Sequence, residues 1–556
     1  MTQQLKIALA QLNPIVGDIS GNAQKVRDTR QAAAQEGADL VVFSELFITG
    51  YMPEDLVLKP AFQKAALEAV EALATETADG GPALLVGLPY VDNGKLHDSI
   101  ALLDNGKIEA IRHKVCLPNY GVFDEVRHFE PGPLPGPVNF RGVRLGLPIC
   151  EDIWFEDVVE CLEETAAEIL VVANGSPFEA DKIDVRLNHV VARVTESGLP
   201  LIYLNQIGGQ DEVVFDGGSF VLNADRTIAH QFPSFCEHMR ITDWRREGKG
   251  WVCASGEIVP SASEDENLYR ACVLGLKDYV EKNHFPGIVL GFSGGIDSAL
   301  CATMAVDAFG ADKVHCIMLP YQYTSDESLD DAKKCAKTLG ARYDIVPISA
   351  AVEGALTSLS PLLEGTEEDV TEENIQSRIR GLMLMAVSNK FGSMVVTTGN
   401  KSEVSVGYAT LYGDMNGGYN PIKDLYKTQV FALSRYRNTH FPAGLLGPAG
   451  EVIPENIITK PPTAELREGQ TDQDSLPPYE VLDDILRCLV EEEMTLDDIV
   501  ARGHEAEIVT RIQHLLYIAE YKRRQAAPGV KLSSKNFGRD RRYPITNSFR
   551  DKVTNS

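Results

Sequence analysis

The ten cysteines include no Cys-x-x-Cys pair, so neither a zinc ribbon nor a thioredoxin-like redox motif is supported. Their scatter suits a reducing compartment. No apolar run approaches the length of a membrane span, and Leu5-Lys6-Ile7-Ala8-Leu9-Ala10 is too short for the core of a signal peptide. A soluble, cytoplasmic protein with no membrane partner is expected. Basic residues are scarce, 52 Lys and Arg against 80 Asp and Glu, and the net charge of −28 repels nucleic acid. No nucleic-acid partner is expected, and anionic small molecules must be held by local devices: amide nests, Mg2+ and a few basic side chains. Internal repeats and low-complexity tracts are absent as well, which argues against a repeat architecture.

What is present is a composition ordinary for a globular enzyme, 44% hydrophobic and 24% charged, over 556 residues. That length suffices for two large α/β domains or three to four average ones. Up to about residue 240, strand-like segments (6–11, 40–43, 83–87, 99–103, 144–149, 169–173, 201–204) alternate with helical patterns at 23–36 and 61–77. Such alternation predicts α/β architecture with buried sheets. Residues 240–264 are polar and read as irregular, with Gly248-Lys249-Gly250 and Pro260-Ser261-Ala262-Ser263 as punctuation. The expected domains are 1–245 and 264–556, joined by a linker at 246–263. A helix is expected over 267–281, and further buried strands at 314–319 and 394–398.

The second half is organised around Leu290-Gly291-Phe292-Ser293-Gly294-Gly295-Ile296-Asp297-Ser298. Ile288, Val289 and Leu290 read as a short buried strand, and a helical pattern begins at Asp297. A strand, a glycine turn and a helix N-terminus make an anion site. Free amides converge there, the helix dipole favours negative charge, and glycines admit phosphate oxygens that a Cβ would exclude. The loop lacks the Gly-Lys-Ser/Thr ending of a Walker A motif. A plain glycine turn is the alternative for Ser-Gly-Gly alone; the longer string at a strand-to-helix junction argues for phosphate.

In the first half, Glu45 follows the apolar run 40–43. Lys114 lies in His113-Lys114-Val115-Cys116-Leu117-Pro118-Asn119-Tyr120-Gly121-Val122-Phe123-Asp124-Glu125, and Cys150 closes the expected strand 145–149 ahead of Glu151-Asp152-Ile153-Trp154. A thiol beside a carboxylate and an ammonium can act as a nucleophile: the carboxylate takes its proton and the ammonium stabilises charge on the attacked carbonyl. Spacing does not bring the three together, and each has an ordinary use as core packing, cap or solvated charge.

The segments around Glu45, Lys114 and Cys150 resemble the nitrilase (carbon–nitrogen hydrolase) superfamily over about residues 1–240, and the string 117–125 resembles its glutaminase members. The resemblance implies an α-β-β-α sandwich. It makes Glu45 the general base, Lys114 the oxyanion stabiliser and Cys150 the nucleophile that takes the γ-carboxamide carbon of glutamine as a thioester and releases ammonia. It assigns Tyr120, Ser176 and Lys182 to holding glutamine, with Glu125 as an accessory carboxylate there.

The string 293–298 resembles the pyrophosphatase loop (PP-loop) of ATP-dependent amidotransferase synthetases. With the segments 373–380, 397–403, 407–414 and 420–427, it resembles the NAD+ synthetase family over nearly all of 264–556. That likeness implies a Rossmann-like ATP-binding domain with a parallel sheet. Gly291, Phe292, Ser293, Gly294, Gly295, Ile296, Asp297, Ser298, Thr398 and Lys427 would bind ATP, and Asp297 and Glu403 would share Mg2+. Asn374, Arg378, Arg380, Glu403, Asp414 and Lys522 would bind deamido-NAD+. The fused arrangement resembles the glutamine-dependent NAD+ synthetases, in which a nicotinate carboxylate is adenylylated and ammonia displaces AMP. The same likeness implies an ammonia channel and a homo-oligomer of at least two chains.

Two other functions compete. Another glutamine-dependent PP-loop amidotransferase would share the loop, but its glutaminase is usually of a different type. A nitrilase-type amidohydrolase with an ATP-sensing module would release neither AMP nor pyrophosphate. The basic tail, Lys522-Arg523-Arg524 to Arg539-Asp540-Arg541-Arg542, reads either as a solvated tail or as a segment closing over an anionic substrate.

Overall fold

The structure, a computed structural model, describes residues 2–180, 182–248 and 250–553. The chain divides into two compact units, Met1–Ala262 and Ser263–Ser556.

In the first unit the two-residue period of each strand decides which core a side chain enters. Along Gln4–Gln11, Leu5, Ile7 and Leu9 join Leu145, Ile169, Val171, Ile202 and Leu204 of a second sheet in one shared core. Ala8 and Ala10 point the other way, against Val26 of the helix Ile19–Gln35 and Val70 and Leu73 of the helix Pro60–Glu76. The second sheet repeats this. Leu170 and Val172 turn outward to Val158 and Leu162 of Asp157–Glu164 and to Val190 and Val194 of Lys182–Ser197. The layering is helix, sheet, sheet, helix, the expected sandwich of seven and six strands.

At the centre of each sheet the strands run parallel: Gln4–Gln11, Leu40–Val42 and Ala83–Asp92 in one, Val143–Gly146, Ile169–Asn174 and Leu201–Asn205 in the other. Chain leaving their C-terminal ends carries Glu45, Cys150 and Gly175.

Two expectations for the first unit need correction. The stretch read as irregular from 240 contains most of the strand His238–Glu247, which pairs with all of Gln4–Gln11, and the edge strand Gly250–Cys253. Exposed Asp243, Arg245 and Glu247 alternate with buried Thr242 and Trp244, so charge on the solvent face disguised a half-buried strand. The strand expected to run to Ile149 ends at Gly146. Cys150 instead opens a 3-10 turn, Cys150–Ile153, at a φ of 44°.

The second unit holds four parallel strands in the order Arg342–Ile345, Val314–Met318, Ile288–Gly291, Met394–Val396. From the central strand the chain first builds outward on one side and then returns to the other. A ligand crevice forms where such a sheet reverses its strand order, beyond the C-terminal strand ends. A helical cluster around Leu482, Leu486, Ile512 and Leu516 packs on Val404 and Val406.

Much of the C-terminal basic stretch is packed rather than solvated, although Arg524 and Arg542 remain exposed. Arg523 and Arg541 pair with Glu520 at 2.7 and 3.1 Å, and Lys531 pairs with Asp540 at 3.1 Å, all with side chains nearly fully buried. Acidic partners, Glu520 just before the stretch and Asp540 within it, offset part of the charge that its composition advertises.

Candidate active sites

Glu45, Lys114 and Cys150, scattered over more than a hundred positions of sequence, converge in the first unit. Lys114 is completely buried, and its Nζ donates to Glu45 Oε1 at 2.6 Å and to Glu125 Oε1 at 2.9 Å. The backbone N–H of Gly175 donates to the other Glu45 oxygen at 2.7 Å. Gly175 must be glycine for this approach, because a Cβ there would lie 2.5 Å from the Tyr51 ring. Tyr51 donates its hydroxyl to Glu125 at 2.6 Å.

Burial alone would depress the Lys114 ammonium, but Glu125 and Glu45 together hold it well above the ordinary lysine range. Burial, and then the Glu45 carboxylate, push the Cys150 thiol well up, while Lys114 pulls it down. These surroundings favour the neutral form of the Cys150 thiol. Burial also lifts Glu125 to about 7, against the pull of Lys114. Lys114 Nζ makes two hydrogen bonds to carboxylates among the described residues and lies 2.7 Å from the second Glu125 oxygen.

Asp152 ties the turn that carries Cys150 to the segment that carries Lys114. Its carboxylate accepts the N–H groups of Val115 at 3.0 Å, Cys116 at 2.8 Å and Ile149 at 2.9 Å. Beside Cys150, Tyr120 donates to Glu151 at 3.0 Å, and Lys182 Nζ sits over the rings of Phe123 and Trp154 at 5.7 and 5.8 Å. Tyr120 is 53% exposed, as a residue at the mouth of a site would be. Ser176 differs: it is buried, its N–H donates to Asn205 at 2.9 Å, and its hydroxyl accepts from Arg186 at 3.1 Å. Arg186 in turn forms a buried pair with Asp216 at 2.8 Å, so the serine belongs to a packed polar network.

In the second unit, Ser293, Gly295, Asp297 and Ser298 lie at the end of Ile288–Gly291 and the start of the helix Ile296–Phe309. Ser293 Oγ accepts from Gly295 N and lies 3.2 Å from Ser298 Oγ. Gly294 has a φ of 77°, and a Cβ there would stand 2.4 Å from the Ser328 carbonyl oxygen. The loop borders a cavity of about 290 Å3 that also takes in Thr398, Glu403, Lys427, Arg380 and Asp414.

Lys427 Nζ donates to Asp297 at 2.6 Å and to Glu403 at 2.9 Å, and Asn400 fixes the other Asp297 oxygen at 2.8 Å. Burial pushes Glu403 up to about 7, with Lys427 opposing and Asp297 adding to the rise. Asp297 and Glu403 thus reach one cationic centre with oxygen donors. That donor set fits Mg2+, which takes one or two carboxylates and completes its shell from phosphate and water.

The lining omits Asn374, Arg378 and Lys522. They meet instead on the segment 407–414. Thr410 donates to Asn374 at 2.8 Å, Arg378 donates to the Leu411 carbonyl at 3.2 Å, and Lys522 donates to the Gly407 and Ala409 carbonyls at 2.8 and 2.7 Å. Asp414 accepts from Thr410 N at 2.6 Å, and burial raises its carboxyl. Arg380 donates to the Leu319 carbonyl at 2.9 Å, and burial lowers its guanidinium to about 10.

Sequence reasoning missed Asp98 beside Glu45 and Lys114, Tyr51 near the thiol, and Asp472, Lys460 and Glu465 on the cavity. Nothing local marks Asp98 or Tyr51. Thr459-Lys460-Pro461-Pro462 did offer a signal, a lysine held in a proline loop.

A family profile described as carbon-nitrogen hydrolase matches residues 6–248, and one described as NAD synthase matches 268–526. The chain is 54% identical to the glutamine-dependent NAD(+) synthetase of Rhodobacter capsulatus over 99% of its own length and 100% of the relative's. It is 45% identical to that of Xanthomonas campestris pv. campestris (strain 8004), over 98% of each. The solved structure of glutamine-dependent NAD+ synthetase from Acinetobacter baumannii in complex with adenosine diphosphate is 40% identical, with a TM-score of 0.78 over 99% of this chain and 100% of that one.

Proposed function

This chain belongs to the glutamine-dependent NAD(+) synthetase family, and from that premise we propose how its own residues divide the reaction. It is a ligase with a nitrilase-type amidotransferase half and an NAD synthase half.

In the first half, Glu45 takes the Cys150 proton as the sulfur attacks the γ-carboxamide carbon of glutamine. Lys114 receives the oxyanion. As the tetrahedral species collapses, the C–N bond breaks and the proton on Glu45 leaves with the departing ammonia. Water, activated by Glu45, then cleaves the thioester to glutamate. Tyr120, Glu151 and Lys182 bound the mouth where the amino-acid end would lie. Ser176 acts behind them through Arg186 and Asn205.

In the second half, a nicotinate carboxylate oxygen of deamido-NAD+ attacks the α-phosphorus of ATP, and pyrophosphate leaves along the loop 293–298. Ammonia then attacks the acyl carbon and AMP departs, giving NAD+. Asp297 and Glu403 would hold Mg2+, which when bound neutralises phosphate charge. Ammonium has no lone pair, so ammonia that stays neutral between the two reactions is the useful species, and a closed channel serves that need. Arg380 and Asp414 line the cavity directly, whereas Asn374, Arg378 and Lys522 act by shaping the segment 407–414. The likeness to the synthetases also favours a homo-oligomer working in the cytoplasm.

The observation that carries this reading is the buried Glu45–Lys114 pair electrostatically coupled to the Cys150 thiol. The test is mass spectrometry of products from ATP, deamido-NAD+ and amide-labelled glutamine. Label in NAD+, with AMP and pyrophosphate formed alongside, is expected. Glutamate without labelled NAD+ would refute the coupled reaction, and free mixing with unlabelled ammonium in solution would refute the channel.

A further inference from the structure

We propose that Asp98 carries a proton in the resting enzyme and donates it as a hydrogen bond to Glu45, as a positioning residue for the base; this rests on the roles given above to Glu45, Lys114 and Cys150.

Asp98 lies on the strand Lys95–Asp104, and its carbonyl accepts the Lys114 N–H at 2.8 Å. Its side chain is fully buried. Carboxyl oxygens of Glu45, Asp98 and Glu125 all lie within 4.8 Å of one another, and the charged groups facing Asp98 are those two glutamates and Lys114. The spacing would suit a cation, but the Lys114 ammonium occupies that role.

Three carboxylates around one ammonium would leave two uncompensated charges in a buried volume, so protons must be retained. Hydrogen bonding decides which carboxyl holds one first. Glu45 accepts from Lys114 and from Gly175 N, and Glu125 accepts from Lys114 and Tyr51. Among the described residues neither oxygen of Asp98 has a donor, and Lys114 Nζ is 3.8 Å away. An anion without donors is the costliest of the three to keep. A proton on Asp98 removes that charge and supplies a donor toward the adjacent Glu45 carboxylate. Burial, and then Glu45, push the Asp98 carboxyl well above the usual range, in the same direction.

With the base already held by Lys114 and Gly175, a third donor from Asp98 leaves its carboxylate little freedom to rotate away from the thiol. It also keeps the net charge around Lys114 low enough for the ammonium to act on the oxyanion.

The test is a pair of substitutions in the full chain. Asp98→Leu removes the donor and should lower glutamine hydrolysis by about 30-fold, as expected for losing a charged hydrogen bond. Asp98→Asn keeps an N–H donor without a titratable proton. It should restore hydrolysis to within about threefold of wild type, while the alkaline limb of the pH–rate profile moves. Iodoacetamide alkylation of Cys150 against pH gives the same comparison without turnover. Synthesis of NAD+ from added ammonium salt reports that each variant is folded and should not change.

If Asp98→Asn is as impaired as Asp98→Leu while ammonium-dependent synthesis is normal, Asp98 acts as an ionised counter-ion and the proposal is overturned. A harmless Asp98→Leu overturns it too. Wild-type chain that hydrolyses no glutamine would instead refute the underlying assignment of Glu45 and Cys150.

Discussion

Replacing Lys114 by Met keeps a stem of similar length and removes one charge from the middle of the first site. The ammonium sits 2.6 Å from Glu45, 2.7 Å from Glu125 and 3.8 Å from Asp98, with no exposure to solvent. Two effects follow. Losing an oxyanion donor costs about 2.7–4 kcal/mol, or roughly 10²–10³ in rate. Without the ammonium, the clustered carboxyls relieve their repulsion by holding more protons, and a protonated base accepts none from the thiol, so the total loss at neutral pH should exceed the oxyanion effect alone.

The same substitution predicts a pH-dependent stability. Removing one partner of a buried ion pair costs about 3–5 kcal/mol when the rest stay ionised. The folded variant then binds more protons than the unfolded chain, whose carboxyls titrate near 4–4.5, so its stability falls as pH rises above that range. Lys114→Met should thus melt close to wild type near pH 5 and well below it near pH 8. The assay pairs glutamine-dependent with ammonium-dependent NAD+ formation, and thermal melts at both pH values. Glutamine-dependent activity within tenfold of wild type would refute the oxyanion role. A melting difference that is the same at both pH values would refute the charge argument.

Cys150→Ala should abolish glutamine-dependent synthesis and leave synthesis from ammonium salt, measured as NAD+ formed; loss of both in a folded chain would contradict the division of labour. Gly294→Ala must push a Cβ against the Ser328 carbonyl, 2.4 Å away, in a backbone conformation that L side chains rarely adopt. It should depress ATP-dependent synthesis from either nitrogen source while glutamine hydrolysis survives, and unchanged ATP use would remove the loop from the phosphate site. Burial holds Glu125 at about 7 against an ordinary value of 4.5, so the folded chain keeps a proton that the unfolded chain releases. Wild-type stability from this group is complete below about pH 4.5 and is lost as pH rises toward 7. Glu125→Gln should flatten that part of the melting-temperature profile, and an unaltered slope would show that Glu125 does not titrate there.

The sequence by itself determined the elements whose chemistry is local. Ile288 to Ser298 states a buried strand, a turn that needs glycine and a helix start, because strand burial, positive φ and N-terminal amides each constrain adjacent residues. The alternation of Leu5, Ile7 and Leu9 with Ala8 and Ala10 likewise encodes a sheet with two covered faces. The strand His238–Glu247 is hidden in the sequence because Asp243, Arg245 and Glu247 occupy the solvent face, where no packing constrains them. Tertiary structure alone decided the rest. Asp98 is one carboxyl among many in sequence, and only the antiparallel pairing of its strand with the chain leading into Lys114, beside Glu45, makes it a buried neighbour of that base. Lys427 meets Asp297 and Glu403 across 130 and 24 positions, and Arg541 finds Glu520 rather than solvent. Charge pairing in a low-dielectric interior depends on distance in space, and chain spacing does not carry that distance.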